Sequence, residues 1–427
     1  MQRDRYGNGL STSSAEAAAA YVEGVDHVLA NTYGGLAALE RAVALDAGFA
    51  LGQVGHARAL MYANDMGGAR AAVERAVALS DGLSDRERSH IHIFDLLTSG
   101  KPVETRAAVY AHVRDWPRDA LVAQLNCQVF GLIGFSGCAG REAEMLAYTS
   151  ALAPAYGEDW WFLSVHAQSL CENGRPDRAL EVMERSLDLY NGNANASHFK
   201  SHAMYEMGQT GEGRAYLDAW MEDYDPRGIL HGHLSWHAAL WALEQGDMAA
   251  FWSWYDGGVG PGTGPGSSLP INVLTDAAAL LWRAELAGQE IAPERWQAVS
   301  AFACETFARP GQSFADMHAA LAHAMAGNGA ALARLAEAER GYAADLVRPV
   351  ACAWQAVARQ DWAEALEGLT PVMADHARFG GSRAQRDLLE LTWMLCLMRL
   401  GRKDEAKRAA ATRRPIFAES APVAGYA

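Results

Sequence analysis

The chain has 427 residues, half of them apolar and 20% charged, with 51 acidic against 36 basic side chains and a formal net charge of −15. That length exceeds one ordinary core and implies either two to three domains or a repeat architecture, while the apolar fraction excludes wholesale disorder. The acidic balance argues against a nucleic-acid or anionic-membrane surface, because either needs a basic footprint.

Residues 1–14 are polar and Gly/Ser-containing, without an apolar core of signal-peptide length. Within them Tyr6–Ser14 are expected to form a poor helix lying along the first repeat. From Ala15 the pattern is helix after helix, separated by short turns marked by Gly, Asn, Asp or Pro. Strand signals are almost absent. Glu40–Leu45 reads E-R-A-V-A-L and Glu74–Leu79 repeats it at an offset of 34 residues, with a third version, E-R-S-L-D-L, at Glu184–Leu189. A period of 34 is the tetratricopeptide length, one helix–turn–helix per repeat.

The expected fold is therefore all-α: an α-solenoid of roughly ten tetratricopeptide-like hairpins over 15–411, curled around a central pocket. Gly257–Pro270, G-G-V-G-P-G-T-G-P-G-S-S-L-P, interrupts it as a loop that reads either as a flexible connector or as a lid. Residues 412–427 read as a loosely held tail. The six cysteines, Cys127, Cys138, Cys171, Cys304, Cys352 and Cys396, are scattered and read as buried reduced thiols. No run of 18 apolar residues marks a membrane span. The expectation is a cytoplasmic protein.

Chemistry concentrates between His198 and His237. His198/His202 and His233/His237 are two His-x-x-x-His pairs, each on one helix face, with one helix between them. Glu206 extends the first row by a turn. Neutral imidazole binds zinc, iron, nickel or copper, so all four histidines are candidate metal ligands; a metal-free polar pocket and plain packing are the other readings. The zinc-protease signature needs Glu directly after the first His, and Phe199 and Leu234 stand there instead. His27, His56, His90, His92, His112 and His166 have no matching partner and read as packing or surface residues.

Three further segments carry polar groups. Asp276 and Arg283, seven apart, share a helix face. Asp316 and His318 open another helix, where the Asp either caps backbone amides or orients an imidazole. Gly380–Asp387, G-G-S-R-A-Q-R-D, is a turn into a helix start, with Ser382 an N-cap candidate and Arg386 beside amide donors suited to an anion. Trp160, Trp161, Trp236, Trp241, Trp252 and Trp254 crowd the same region and read as core or as a pocket wall.

From about Asp159 to Leu400 the chain resembles the tetratricopeptide-repeat protein 38 family. The pieces that carry the resemblance are S-H-F-K-S-H-A-M-Y-E-M-G, H-L-S-W-H-A-A-L-W-A-L-E-Q-G, D-A-A-A-L-L-W-R, A-D-M-H and G-G-S-R-A-Q-R-D. The resemblance implies a helical-repeat fold and marks His198, His202, Glu206, His233, Trp236, His237, Asp276, Arg283, Asp316, His318, Ser382, Gln385, Arg386 and Asp387 as a shared polar set. The family motif places its Glu three residues beyond the second His, whereas Glu206 lies four beyond His202.

Two functional readings follow. In the first, the solenoid holds a small polar or anionic molecule in an internal pocket and acts as a hydrolase or lyase, with or without a divalent metal. His202, His233, His237, His318 and Asp316 would then carry acid–base chemistry, and Arg386, Gln385, Ser382, Asp387, Trp236, Asp276 and Arg283 would hold the substrate. In the second, the chain is a non-catalytic scaffold for a protein partner.

Overall fold

The computed structural model describes residues 2–264 and 268–413. It is an all-α helical-repeat protein whose residues form two compact units. The first comprises residues up to 134 with 142–200 and 227–230; the second comprises 135–141, 201–226 and 231 onward.

The first unit opens not with a poor helix but with a two-stranded antiparallel hairpin, β1 (Gln2–Arg3) on β2 (Gly9–Leu10). The Asp4 carboxylate makes the turn by accepting from the Tyr6 and Asn8 amides at 2.9 and 2.8 Å. Strands of two residues leave no alternation to read in a sequence. The segment is anchored where Glu87 accepts from the Ser11 amide and hydroxyl.

Helices α1 (Ala15–Ala30), α2 (Gly35–Leu45), α3 (Ala50–Tyr62) and α4 (Met66–Ala78) follow as consecutive hairpins. The two E-R-A-V-A-L segments fall at the ends of α2 and α4, the second helix of each hairpin. They place Ala42 and Ala76 at equivalent buried positions. Close approach at the hairpin centres depends on glycine: a Cβ on Gly24 of α1 would lie 2.4 Å from Leu39 of α2, and one on Gly55 of α3 would lie 2.7 Å from the same side chain.

The unit continues through α5 (Asp85–Thr98), α6 (Pro102–Asp115), α7 (Ala120–Ala123), α8 (Arg141–Tyr156), α9 (Trp160–Glu172) and α10 (Pro176–Leu189). The third repeat segment closes α10. Trp161 is core there, edge-on to Tyr6 and Tyr156. The boundary between the units falls inside α11 (Ala194–Glu206).

The second unit holds α12 (Thr210–Met221), α13 (His231–Glu244), α14 (Met248–Trp254), α15 (Pro270–Leu286) and α16 (Pro293–Thr306). It continues with α17 (Ser313–Met325), α18 (Gly329–Ala336), α19 (Ala344–Ala358), α20 (Trp362–Met373), α21 (Arg383–Arg399) and α22 (Lys403–Arg413). Alternate helices stack, α13 on α15, α15 on α17 and α17 on α19. Helix α21 also returns to α15, where Trp282 Nε1 donates to Thr392 Oγ1 at 2.8 Å. This inner layer is buried, so α13, α15, α17 and α21 read as continuous apolar helices interrupted by the polar residues of interest.

The Gly/Pro-rich interruption begins later than expected. Helix α14 runs into a π-helical turn over Tyr255–Val259, so Gly257 and Gly258 are still helical. Gly258 packs on α13, where its Cβ would lie 2.6 Å from Ser235 Oγ. Residues 265–267 of the expected loop, and 414–427 of the expected tail, lie outside the described residues. Cysteine burial is mixed: Cys127, Cys171 and Cys396 are buried, Cys304 is half-buried, and Cys138 and Cys352 are exposed, all as free thiols. Among the described residues no helix is long and apolar enough to cross a membrane.

Candidate functional site

Helix-face spacing brings His233 and His237 together on α13, with ring centroids 5.1 Å apart and nearly perpendicular. His202 on α11 meets both, at 4.5 Å from His237 and 6.3 Å from His233. All three are buried. One ring nitrogen of each lies within 4.8 Å of one nitrogen of the others. His198 lies one turn before His202 on the same helix and is also buried. Trp236 stacks flat on His233, with centroids 5.2 Å apart at 8°, and stands edge-on to His237.

Asp276 on α15 reaches His233 rather than acting with Arg283 on its own helix. Its Oδ2 lies 2.6 Å from His233 Nδ1, and both groups are buried. A carboxylate accepts, so Nδ1 carries the proton of this bond. Burial pushes the His202 imidazole down to about 3, with the neighbouring His233 adding to the depression. His202 is therefore neutral at physiological pH.

Arg283 joins three helices. Its guanidinium lies 5.8 Å from the Trp236 ring on α13, and its Nη2 donates to Ala384 O on α21 at 2.8 Å. Its charge also contributes to the depressed pKa of His318 on α17, where burial is the larger cause and the value is about 4. His318 Nδ1 donates to Phe314 O at 2.8 Å, which leaves Nε2 as an acceptor.

The D-M-H pair does not act as a unit. Asp316 turns to the backbone and accepts from the Gly311 amide at 2.9 Å, so the carbonyl of Phe314, and not Asp316, orients His318. Burial raises the Asp316 carboxyl to about 7, against the hydrogen bond from Gly311.

At the start of α21, Ser382 and Gln385 form a capping box: Ser382 Oγ accepts from the Gln385 amide, and Gln385 Oε1 accepts from the Ser382 amide at 3.0 Å. Arg386 Nη1 donates to Gly381 O at 2.6 Å, and Arg141 Nη2 donates to the same oxygen. The turn requires glycine at 381, which has φ +70° and where a Cβ would lie 2.4 Å from the Phe314 ring. Asp387 accepts from Tyr205 OH at 3.0 Å. Glu206 receives Arg383 Nε at 3.2 Å.

Sequence reasoning missed the His233–Asp276 bond, Tyr205 and Glu244. Thr210 donates to Glu244 at 2.7 Å, and burial raises this carboxyl to about 7. None of these has a local pattern, since each partner is 34 or more residues away. In the first unit, His90 and His112 are not packing residues without partners. Both reach Asp119 Oδ2, at 3.0 and 3.2 Å, together with Arg86 Nη1 at 2.6 Å.

No family model matches the chain. Among solved structures it is similar to a chain of one titled "Structure of Naa15/Naa10 bound to HypK-THB", at 12% identity, covering 92% of this chain and 68% of that chain, with a TM-score of 0.21. A likeness at that score carries no argument about fold or function.

Proposed function

We propose that the second unit binds a compact polar or anionic small molecule among α13, α15, α17 and α21, and performs hydrolase- or lyase-type acid–base chemistry on it. Four buried atoms support this reading. Trp236 Nε1, Arg283 Nη1, His318 Nε2 and Gln385 Nε2 have no hydrogen-bond partner among the described residues, and they come from four different helices linked through Arg283. Buried polar groups are nearly always satisfied, and leaving one unmatched costs about 1–3 kcal/mol. Three donors and one acceptor suit a ligand that is rich in acceptors and carries a proton the neutral His318 can take.

In this reading Arg283, not Arg386, faces the anion, because Arg386 Nη1 is engaged with the Gly-Gly turn. His318 serves as base. Ser382 and Asp387 act indirectly, by holding α21 in place. The test is a thermal-shift and calorimetric screen of the full chain against phosphate, di- and tricarboxylates and amino acids, with Arg283→Lys and His318→Gln beside it. A ligand that raises Tm in wild type and loses at least tenfold in affinity in both variants is expected. Binding unchanged in both variants sinks the reading.

A further inference from the structure

The three histidines shared by α11 and α13 carry an inference that deepens, and rests on, the reading of these helices as a ligand site. We infer that His202, His233 and His237 form a centre for a divalent transition metal of the zinc, cobalt or nickel kind. The geometry is that of a donor set waiting to be drawn together by a cation. One nitrogen of each ring lies within 4.8 Å of the others, and a tetrahedral zinc site with nitrogen ligands at about 2.1 Å spaces them about 3.4 Å apart. Rotamer-scale movement of the rings closes that difference.

The second observation is independent of the cluster itself. Asp276 holds His233 Nδ1 at 2.6 Å from outside the group, which fixes the proton of that bond on Nδ1 and turns Nε2 to the opposite side of the ring. A carboxylate behind a histidine is the usual outer support of a metal ligand: it fixes the tautomer and raises the donor strength of the ring. Trp236 stacked on His233 and edge-on to His237 restrains both rings and excludes water.

The donor set also selects the ion. An imidazole donor set disfavours magnesium and calcium, which need oxygen. Three neutral donors leave a divalent ion with an open position and its positive charge. Such a centre draws an anionic ligand atom, which agrees with the anionic class proposed for the Arg283 side.

The test is cobalt titration of tag-free, EDTA-treated full-length protein, read by visible absorption and by bound metal after dialysis. One equivalent is expected, with the intense visible bands of a four- or five-coordinate ion, displaced by zinc. His202→Ala and His237→Ala should abolish it, with far-UV circular dichroism unchanged, and Asp276→Asn should weaken it about 10- to 100-fold. If an alanine variant fails to fold, the wild-type spectrum decides. Weak octahedral bands or less than a tenth of an equivalent overturn the centre, as does equal binding in folded His202→Ala and His237→Ala proteins. When metal fails but a phosphate or carboxylate probe still raises Tm through Arg283, only the metal centre falls; when both fail, both readings fall.

Discussion

His233 Nδ1 and Asp276 Oδ2 lie 2.6 Å apart, both out of water, on helices whose partners are separated by 43 residues of sequence. A bond to a charged acceptor in a low-dielectric setting is among the stronger ones available to a side chain. Asp276→Ala leaves the His233 N–H buried without it, and the expected cost is about 1–3 kcal/mol. Asp276→Asn keeps an acceptor oxygen and should cost less. A double-mutant cycle of Asp276→Ala with His233→Ala, followed by urea denaturation, should give a coupling of at least about 0.5 kcal/mol; a cycle that closes to zero removes the pair as a stabilising element.

What could be read from sequence was the part governed by local period. The copies of E-R-A-V-A-L mark second helices of hairpins because Ala42 and Ala76 must be small and inward on the same helical turn. The His-x-x-x-His spacing predicted ring neighbours along α13 for the same reason. The partners across helices were not readable. Asp276 shares a face of α15 with Arg283, yet its bond goes to α13, while Arg283 turns to α21. Glu206 continues the row of His202 by count but finds Arg383. Spacing gives the face of a helix; which neighbour lies opposite is set by tertiary packing.

Asp119 in the first unit is a second convergence that sequence spacing hides. Burial alone would raise its carboxyl, but the electrostatic pull of His90, bonds from His112 and His90, and the Arg86 guanidinium hold it well below the usual carboxylate range. A carboxyl depressed on folding contributes stability above its unfolded pKa and loses it as pH falls through the folded one. Asp119→Asn removes the counter-charge of a buried arginine, and a broken buried pair costs about 3–5 kcal/mol. The urea midpoint at pH 7 should fall accordingly. A shift under 1 kcal/mol would mean that Arg86 finds another acceptor.

His318 and Asp316 in the second unit push the pH dependence of stability in opposite directions. His318 is held at about 4 by burial, whereas an unfolded imidazole titrates near 6.5. Between those values only the unfolded chain takes the proton, so the stability from His318 is full above about 6.5 and declines as pH falls to about 4. The loss is about 3 kcal/mol at 1.36 kcal/mol per pH unit. Asp316, raised to about 7 by burial, runs the other way, contributing below its unfolded pKa and losing stability as pH rises through 7. His318→Gln isolates the first term. The stability difference between wild type and variant should move by about 3 kcal/mol towards the variant from pH 7 to pH 4; a difference independent of pH would mean that folding leaves the proton affinity of His318 unchanged.

Gly24 tests whether helix propensity or packing decides in the repeat hairpins. Replacing a helical glycine with alanine ordinarily stabilises by about 1 kcal/mol. On α1, however, the new methyl would stand 2.4 Å from Leu39 Cγ, a branch point that cannot swing aside as a chain end can. Leu39 is also packed closely against α3, where a Cβ added to Gly55 would lie 2.7 Å from Leu39 Cδ2. With neither side free to move, overpacking of about 1–3 kcal/mol outweighs the propensity gain. Gly24→Ala should therefore lower stability, and Gly24→Ala combined with Leu39→Ala should be less damaging than the sum of the two, since the smaller side chain makes room for the methyl. Denaturant melts of the two single variants and the double variant measure this directly. A stabilised Gly24→Ala protein would show that α1 and α2 can separate at no cost, and that the small residues of the repeat do not set the distance between its helices.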